Sequence, residues 1–151
     1  MSSTSPPRAW VRLLRAHAEL TRTMDAALRE EHDLSLREYE VLLALADAPD
    51  SRLRRVDLAA KLLLTQGGIT RLLEALERDG LVGRAASDAD RRVIFAELTS
   101  AGRRRLAPAR RRHHRDIREL FADRFDGEEL ATLDALLARL PGAEDEGDWA
   151  S

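Results

Sequence analysis

Two short clusters in the middle of the chain carry side chains of the right type and spacing to read and hold a polyanion. The first is "TQGGITR", Thr65 to Arg71. Read as the start of a helix with Ile69, Leu72 and Leu73 turned inward, it leaves Gln66, Gly67, Thr70 and Arg71 facing out behind the cap Thr65. Gln matches adenine and Arg matches guanine, each through paired hydrogen bonds. Gly67 and Gly68 lower helix propensity by up to ~1 kcal/mol each. Close backbone approach to a duplex would offset that cost; a tight helix–helix contact is the other use of such glycines. The second cluster is "SDADRR", Ser87 to Arg92. Asp90 lies two residues before Arg92 and is placed to hold its guanidinium by a charge-assisted hydrogen bond. Arg91 and Arg92 at a turn tip suit the negative potential of a minor groove. The same charges also fit a self-satisfied surface ion-pair cluster, which contributes little to stability.

Both clusters need a scaffold, and the flanking periodicity outlines one. Residues 1–7 are Ser, Thr and Pro after the initial Met and are expected to be disordered. A long helix fits Arg8 to about His32, with Trp10, Leu13, Leu14, His17, Met24 and Leu28 on one stripe. Ser35 and Glu38 form a capping box before a second helix carrying Tyr39, Leu42, Leu43 and Ala46. A short third helix covers about Val56 to Leu62. A fourth follows Thr65, with Ile69, Leu72, Leu73 and Leu76 inward and Gly80 closing it in the left-handed conformation. Two extended runs come next, about Leu81–Ala86 and Arg92–Leu98, with Ile94, Ala96 and Leu98 sharing the inner face of the second. Thr99 caps a long fifth helix in which Pro108 is expected to make a kink. Asp126 and Glu129 cap a last helix carrying Leu130, Leu133, Leu136, Leu137 and Leu140, stopped by Pro141-Gly142.

Helix, short turn, helix and two-stranded hairpin make a helix-turn-helix followed by a wing. In such a unit the N-terminal residues of the second helix meet base edges in the major groove. The fold class expected is mainly α with a small β-wing. The winged helix covers about 35–98, dimerisation helices cover about 8–32 and 99–140, and an acidic tail covers 141–151. The apolar stripes of the outer helices have no evident partner in one small domain, so a homodimer is expected. An intramolecular bundle is the alternative.

Composition narrows the function classes. The chain has 151 residues and no cysteine, which removes disulfides, thiolate nucleophiles and cysteine–zinc sites together. No run is long enough to cross a membrane and "MSSTSPPRAW" has no apolar signal core, so a cytoplasmic protein is expected. Net charge is only −2, but it is segregated: residues 52–92 carry nine basic against six acidic side chains, and residues 119–151 carry two against ten. Such segregation decides partner choice more than the total does. No catalytic motif is present, and Arg91 and Arg92 would depress the carboxyls of Asp88 and Asp90 rather than tune one as an acid. The four His do not form an evident ligand set with carboxylates, so neither a metal nor a cofactor is expected, and the chain is not read as an enzyme.

From these residues the chain resembles the MarR family of bacterial transcription regulators, over roughly residues 8–140. The segment "LAAKLLLTQGGITRLLEALERDGLVGRAASDADRRVIFAELTSAGRRRL" is similar to the family's winged helix, with the wing signature Asp90, Arg91, Arg92, then Leu98-Thr99 and Gly102. Leu63 departs from the pattern, standing in the turn where many relatives have Gly. The resemblance implies a ligand-responsive repressor that binds a pseudo-palindromic operator in double-stranded DNA as a dimer, with Arg92 entering the minor groove. It implies a small aromatic or phenolic effector bound between the dimer helices and the winged helix, near Trp10, His17, Tyr39 and His113. Arg103–Arg105 are placed to add phosphate contacts, and Arg110–Arg112 to form a solvated face or pair with acids across the dimer. A winged helix that binds protein, and a low-specificity DNA-coating protein, remain the other readings.

Overall fold

The computed structural model describes residues 5–143. Six helices and three short strands follow in the order α1 (Pro6–His32), α2 (Leu36–Asp47), β1 (Arg52–Arg54), α3 (Arg55–Lys61), α4 (Gln66–Arg78), β2 (Val82–Ala86), β3 (Ile94–Leu98), α5 (Ser100–Ala122) and α6 (Gly127–Leu137). A 3-10 turn, Pro49–Ser51, joins α2 to β1. The chain divides into two compact units, Met1–Arg110 and Arg111–Ser151.

α1 starts two residues before the expected Arg8, at Pro6. Proline is well suited to the first helical turn, where its missing N–H has no partner to lose. Disorder over residues 1–7 therefore does not extend to Pro6 and Pro7, and residues 1–4 lie outside the described residues. Of the α1 stripe, Met24 and Leu28 are buried, while Trp10 is 60% and Leu14 49% exposed. The stripe is real in sequence, but only its C-terminal part meets the core of the first unit. Asp33, at φ 52°, ends the helix, and Arg105 donates to the His32 carbonyl there at 3.3 Å.

α2 runs through the centre of the first unit. Ser35 accepts from the Glu38 N–H at 3.1 Å and the Glu38 carboxylate accepts from the Ser35 N–H at 2.7 Å, closing the expected capping box. Tyr39 and the whole run Val41–Leu45 are buried. A helical stretch apolar all round, as Val41–Leu45 is, belongs inside a core, and Leu58, Ile69, Leu73, Leu76, Leu98 and Leu106 pack into the same cluster.

The wing has three strands, where the sequence pointed to two. β1 pairs antiparallel with β3, Leu53 opposite Ala96, and β2 pairs with its other edge, Val82 opposite Leu98. A three-residue Arg-Leu-Arg strand has no readable period of its own; the free edge of β3 supplies it. β3 begins at Ile94, not Arg92, because the Arg92 N–H goes to the Asp90 carboxylate at 3.0 Å and the Val93 N–H to the Asp90 carbonyl at 3.0 Å. Ala96 and Leu98 face inward, but Ile94 is 49% exposed at the strand's tip end.

One junction ties α4, the wing and α5 together. Gly80, at φ 72°, follows α4. The Thr99 hydroxyl donates to the Gly80 carbonyl at 2.7 Å and accepts from the Gly102 N–H at 3.0 Å, while the Thr99 N–H donates to the Leu81 carbonyl at 3.2 Å. A Cβ on Gly102 would sit 2.2 Å from the Leu81 carbonyl oxygen and 2.6 Å from a Leu98 methyl. The first turn of α5 thus rests on the wing backbone itself.

α5 continues through Pro108 as a single helical run. In the second unit Asp126 and Glu129 form the expected capping box at the start of α6. α6 ends at Leu137, so Leu140, expected on the helix, falls in the turns that follow. None of its residues is buried, and Leu136 is 52% exposed. The acidic tail predicted over 141–151 lies outside the described residues from 144 onward. No helix among the described residues is long and apolar enough to cross a membrane.

Replacing Gly102 by Ala drives a methyl group into a backbone carbonyl that cannot swing aside. Thermal or urea unfolding should show a loss of about 3 kcal/mol or more; an unchanged midpoint would mean that α5 does not seat on the wing in this way.

Candidate nucleic-acid interface

α3, the turn Leu62–Leu64 and α4 form the helix-turn-helix. Leu63 takes φ 52° in the turn and is 87% exposed. The left-handed conformation costs a side-chain-bearing residue roughly 1 kcal/mol, which the chain accepts because the Leu64 N–H is held by the Ala59 carbonyl at 2.9 Å. Departure from Gly at this position leaves the turn intact.

Thr65 caps α4, its hydroxyl accepting from the Gly68 N–H at 3.0 Å. Ile69, Leu73 and Leu76 anchor the helix, and Gln66, Gly67 and Arg71 are exposed at its N-terminal half. Thr70 is only partly so. Its hydroxyl donates to the Gln66 carbonyl at 2.8 Å and receives Arg55 at 3.4 Å. With its hydrogen already given, Thr70 can offer a partner a lone pair or its methyl group. A Cβ on Gly67 would meet nothing within 4 Å, and one on Gly68 only the Thr65 hydroxyl at 3.2 Å. A tight helix–helix contact is therefore not what the two glycines serve in this chain.

The wing loop is organised by its own side chains. The Ser87 hydroxyl accepts from the Ala89 and Asp90 N–H groups at 3.3 and 3.4 Å, and the Ser87 N–H closes the loop on the Val93 carbonyl at 2.9 Å. Asp90 serves Arg92 differently from expectation. Its carboxylate accepts from the Arg92 backbone N–H, whereas the guanidinium lies 3.9 Å away and its side chain is 95% exposed. A carboxylate two residues upstream is at the right distance for the backbone N–H, so Asp90 shapes the turn and leaves the Arg92 head extended. Arg91 is exposed beside it.

Both predicted clusters border one cleft of about 520 Å³ between α4 and the sheet, where Thr70 and Arg92 are joined by Arg54, Arg55 and Arg84. Sequence reasoning missed these last three. Local positive charge was visible; which arginines share a wall depends on β1 and on the register of β2. Arg54 is clamped by Asp57 at 2.7 and 3.1 Å, and Arg84 on β2 reaches Glu77 on α4 at 3.0 Å. Arg55, lightly held by Thr70, faces the cleft as a further candidate contact.

The Arg-rich start of α5 is used inward. Arg103 donates to the buried Ser51 hydroxyl and Arg105 to the His32 carbonyl; Arg104 makes no such bond among the described residues. Arg110 pairs with Asp47 at 3.7 Å and Arg112 with Asp116 at 2.6 Å, so these two find acids within the chain.

The four residues proposed for an effector pocket are divided between the two units. Trp10 and His17 are exposed on α1, and His113 belongs to the second unit. Tyr39 is 2% exposed inside the core and cannot line an opening without repacking; burial pushes its hydroxyl up to about 12. Among the described residues no group of His, Asp and Glu could hold a metal ion.

Comparison with known proteins agrees with this geometry. A family model described as MarR family matches residues 32–93. The chain is 42% identical over 73 residues to the HTH-type transcriptional repressor YetL of Bacillus subtilis (strain 168), covering 48% of this chain and 44% of that protein. It is 34% identical over 95 residues to the HTH-type transcriptional regulator MhqR of the same organism, covering 63% of each. The chain thus spans about half to just under two thirds of these relatives' lengths. Among solved structures, AbsC, a MarR family transcriptional regulator from Streptomyces coelicolor, superposes with TM-score 0.79 at 27% identity, covering 91% of this chain and 93% of that one. Sco3205, a MarR family regulator from the same organism solved in complex with DNA, gives TM-score 0.79 at 25% identity, covering 90% and 86%.

Two outcomes follow from this geometry alone. Gly67→Ala has open space around the new methyl, so it should stabilise α4 by about 0.5 kcal/mol, read as a small rise in melting temperature. Burial holds His113 below its ordinary range, with His114 adding to the effect and Asp116 opposing it. A depressed folded-state value means that protonation favours unfolding. The stability tied to neutral His113 is therefore complete above the ordinary value of 6.5 and is lost as pH falls. Melting at pH 7.5 and 5.5 should show a smaller acid loss in His113→Gln than in the native protein.

Proposed function

We propose that the chain is a MarR-type, sequence-specific, DNA-binding transcription regulator of the repressor type, acting in the cytoplasm as a homodimer. The observation that carries this reading is the shared cleft. Thr70 of the recognition helix lines one side of it and Arg92 of the wing the other, with Gln66, Gly67 and Arg71 exposed on the same helix and Arg91 exposed beside Arg92, all in the first unit. A helix N-terminus in the major groove and an extended Arg at the wing tip are what two adjacent grooves of one duplex require. Sco3205 was solved in complex with DNA, and its likeness to this chain supports the same partner here.

The exposed apolar residues support the dimer. Trp10, Leu13 and Leu14 on α1 and Leu130, Leu136 and Leu137 on α6 are too many large apolar side chains for an isolated surface. A two-fold partner would cover them and set two recognition helices ~34 Å apart, one turn of DNA, which calls for a pseudo-palindromic operator. A small aromatic effector remains part of this reading, with Trp10 and His17 on α1 and His113 on α5 as candidate contacts. Its action would be to change the spacing of the recognition helices and so release the operator.

Titration into a labelled duplex covering the gene's own upstream region, beside a shuffled duplex at two salt concentrations, tests the proposal. Tight binding to the native duplex alone is expected. Arg92→Ala should weaken it about ten- to hundredfold, and Gly67→Ala should weaken it despite stabilising the helix. Equal, weak and steeply salt-dependent binding to both duplexes would favour a DNA-coating protein. No binding at low salt would favour a winged helix that contacts protein.

A further inference from the structure

Glu74 lies where an acid is least expected. On α4 it follows Gly67, Thr70 and Arg71 at the spacing that keeps residues on one helix face, so it prolongs the outward line of the recognition residues. It is exposed and lines the cleft beside Thr70, Arg55, Arg84 and Arg92. The other acids around this cleft have partners: Asp57 holds Arg54, Glu77 holds Arg84, and Asp90 holds the Arg92 N–H. The Glu74 carboxylate makes no hydrogen bond or ion pair among the described residues. Arg78, one turn on, is the natural helical partner, yet its Nε donates to the Glu74 backbone carbonyl at 3.4 Å. Arg84 feels Glu74 only as a minor attraction beside its bond to Glu77.

We propose that Glu74 is a specificity-determining residue that accepts the exocyclic amine of cytosine in the operator and repels every misdocked duplex. The inference rests on the DNA-binding reading above. In the major groove cytosine and adenine each offer an amine donor, but adenine sets the N7 acceptor beside it, which repels a carboxylate, and guanine O6 and N7 and thymine O4 are acceptors. A carboxylate opposite the amine forms a charge-assisted bond that offsets its repulsion from the backbone. Opposite an acceptor or a phosphate it meets repulsion, and no ion pair within the described residues neutralises its charge. Discrimination then arises from penalising wrong sites more than from strengthening the right one.

The test uses full-length protein and duplexes selected by the wild type from a random-sequence library. Glu74→Gln keeps the shape, removes the charge and, at an exposed helix site with no partner, should melt as the wild type does. The selected duplex should bind about as tightly as before, and a shuffled duplex about three- to tenfold more tightly, an effect that shrinks at high salt. A second selection with the variant should lose a cytosine preference at one position of each half-site. Equal tightening on both duplexes, no change on either, or an unaltered selected sequence would overturn the role of Glu74 while leaving DNA binding in place. Failure of the wild type to select any sequence would overturn both.

Discussion

The contact on which the rest of this structure depends is the seat of α5 on the wing. Thr99 bonds at once to the residue that ends the recognition helix, to the first residue of the wing and to the first turn of α5. Gly102 allows the approach, since any side chain there would overlap the Leu81 carbonyl. The hydroxyl and the missing Cβ act together: the hydrogen bonds set the distance, and the glycine makes that distance possible. Through this joint the position of α5 determines where β2 and β3 stand relative to α4, and so the width of the cleft between them.

Charge is allocated with similar economy. The chain is rich in arginine, but many guanidiniums hold the protein to itself. Arg103 reaches Ser51 behind a turn in which Asp50 and Ser51 both take positive φ. Arg105 satisfies a carbonyl at the end of α1, and Arg54 and Arg84 are held by carboxylates of α3 and α4. Arg92 is different, with its backbone fixed by Asp90 and its head in solvent. Fixing the backbone while freeing the head leaves a long cationic side chain that can move without the loop moving.

Much of this was legible beforehand, because it rests on local chemistry. The Ser35–Glu38 and Asp126–Glu129 boxes, the Thr65 cap, the left-handed Gly80 and the stripe of α4 depend on residues within a turn or two of each other, where spacing alone decides geometry. The readings that changed involve partners distant in sequence. Trp10 sits on a true amphipathic stripe, yet a stripe does not say which surface will cover it, and the first unit covers only its Met24–Leu28 end. Tyr39 read both as a stripe residue and as a pocket candidate, and it is enclosed beside the buried run Val41–Leu45.

The sequence by itself therefore determined the order of the elements, their caps, the outward face of the recognition helix and the turn at the wing tip. Each is set by short-range hydrogen bonding and by the period of apolar residues. Tertiary structure alone decided that Arg-Leu-Arg is a third strand, that Gly102 is a steric necessity and that Arg103 and Arg105 turn inward. It also brought Arg55 and Glu74 into one cleft with Arg92. Strand pairing, close backbone approach and the choice of a charge's partner are relations between surfaces. They acquire definite values only when the segments that carry them are packed against each other.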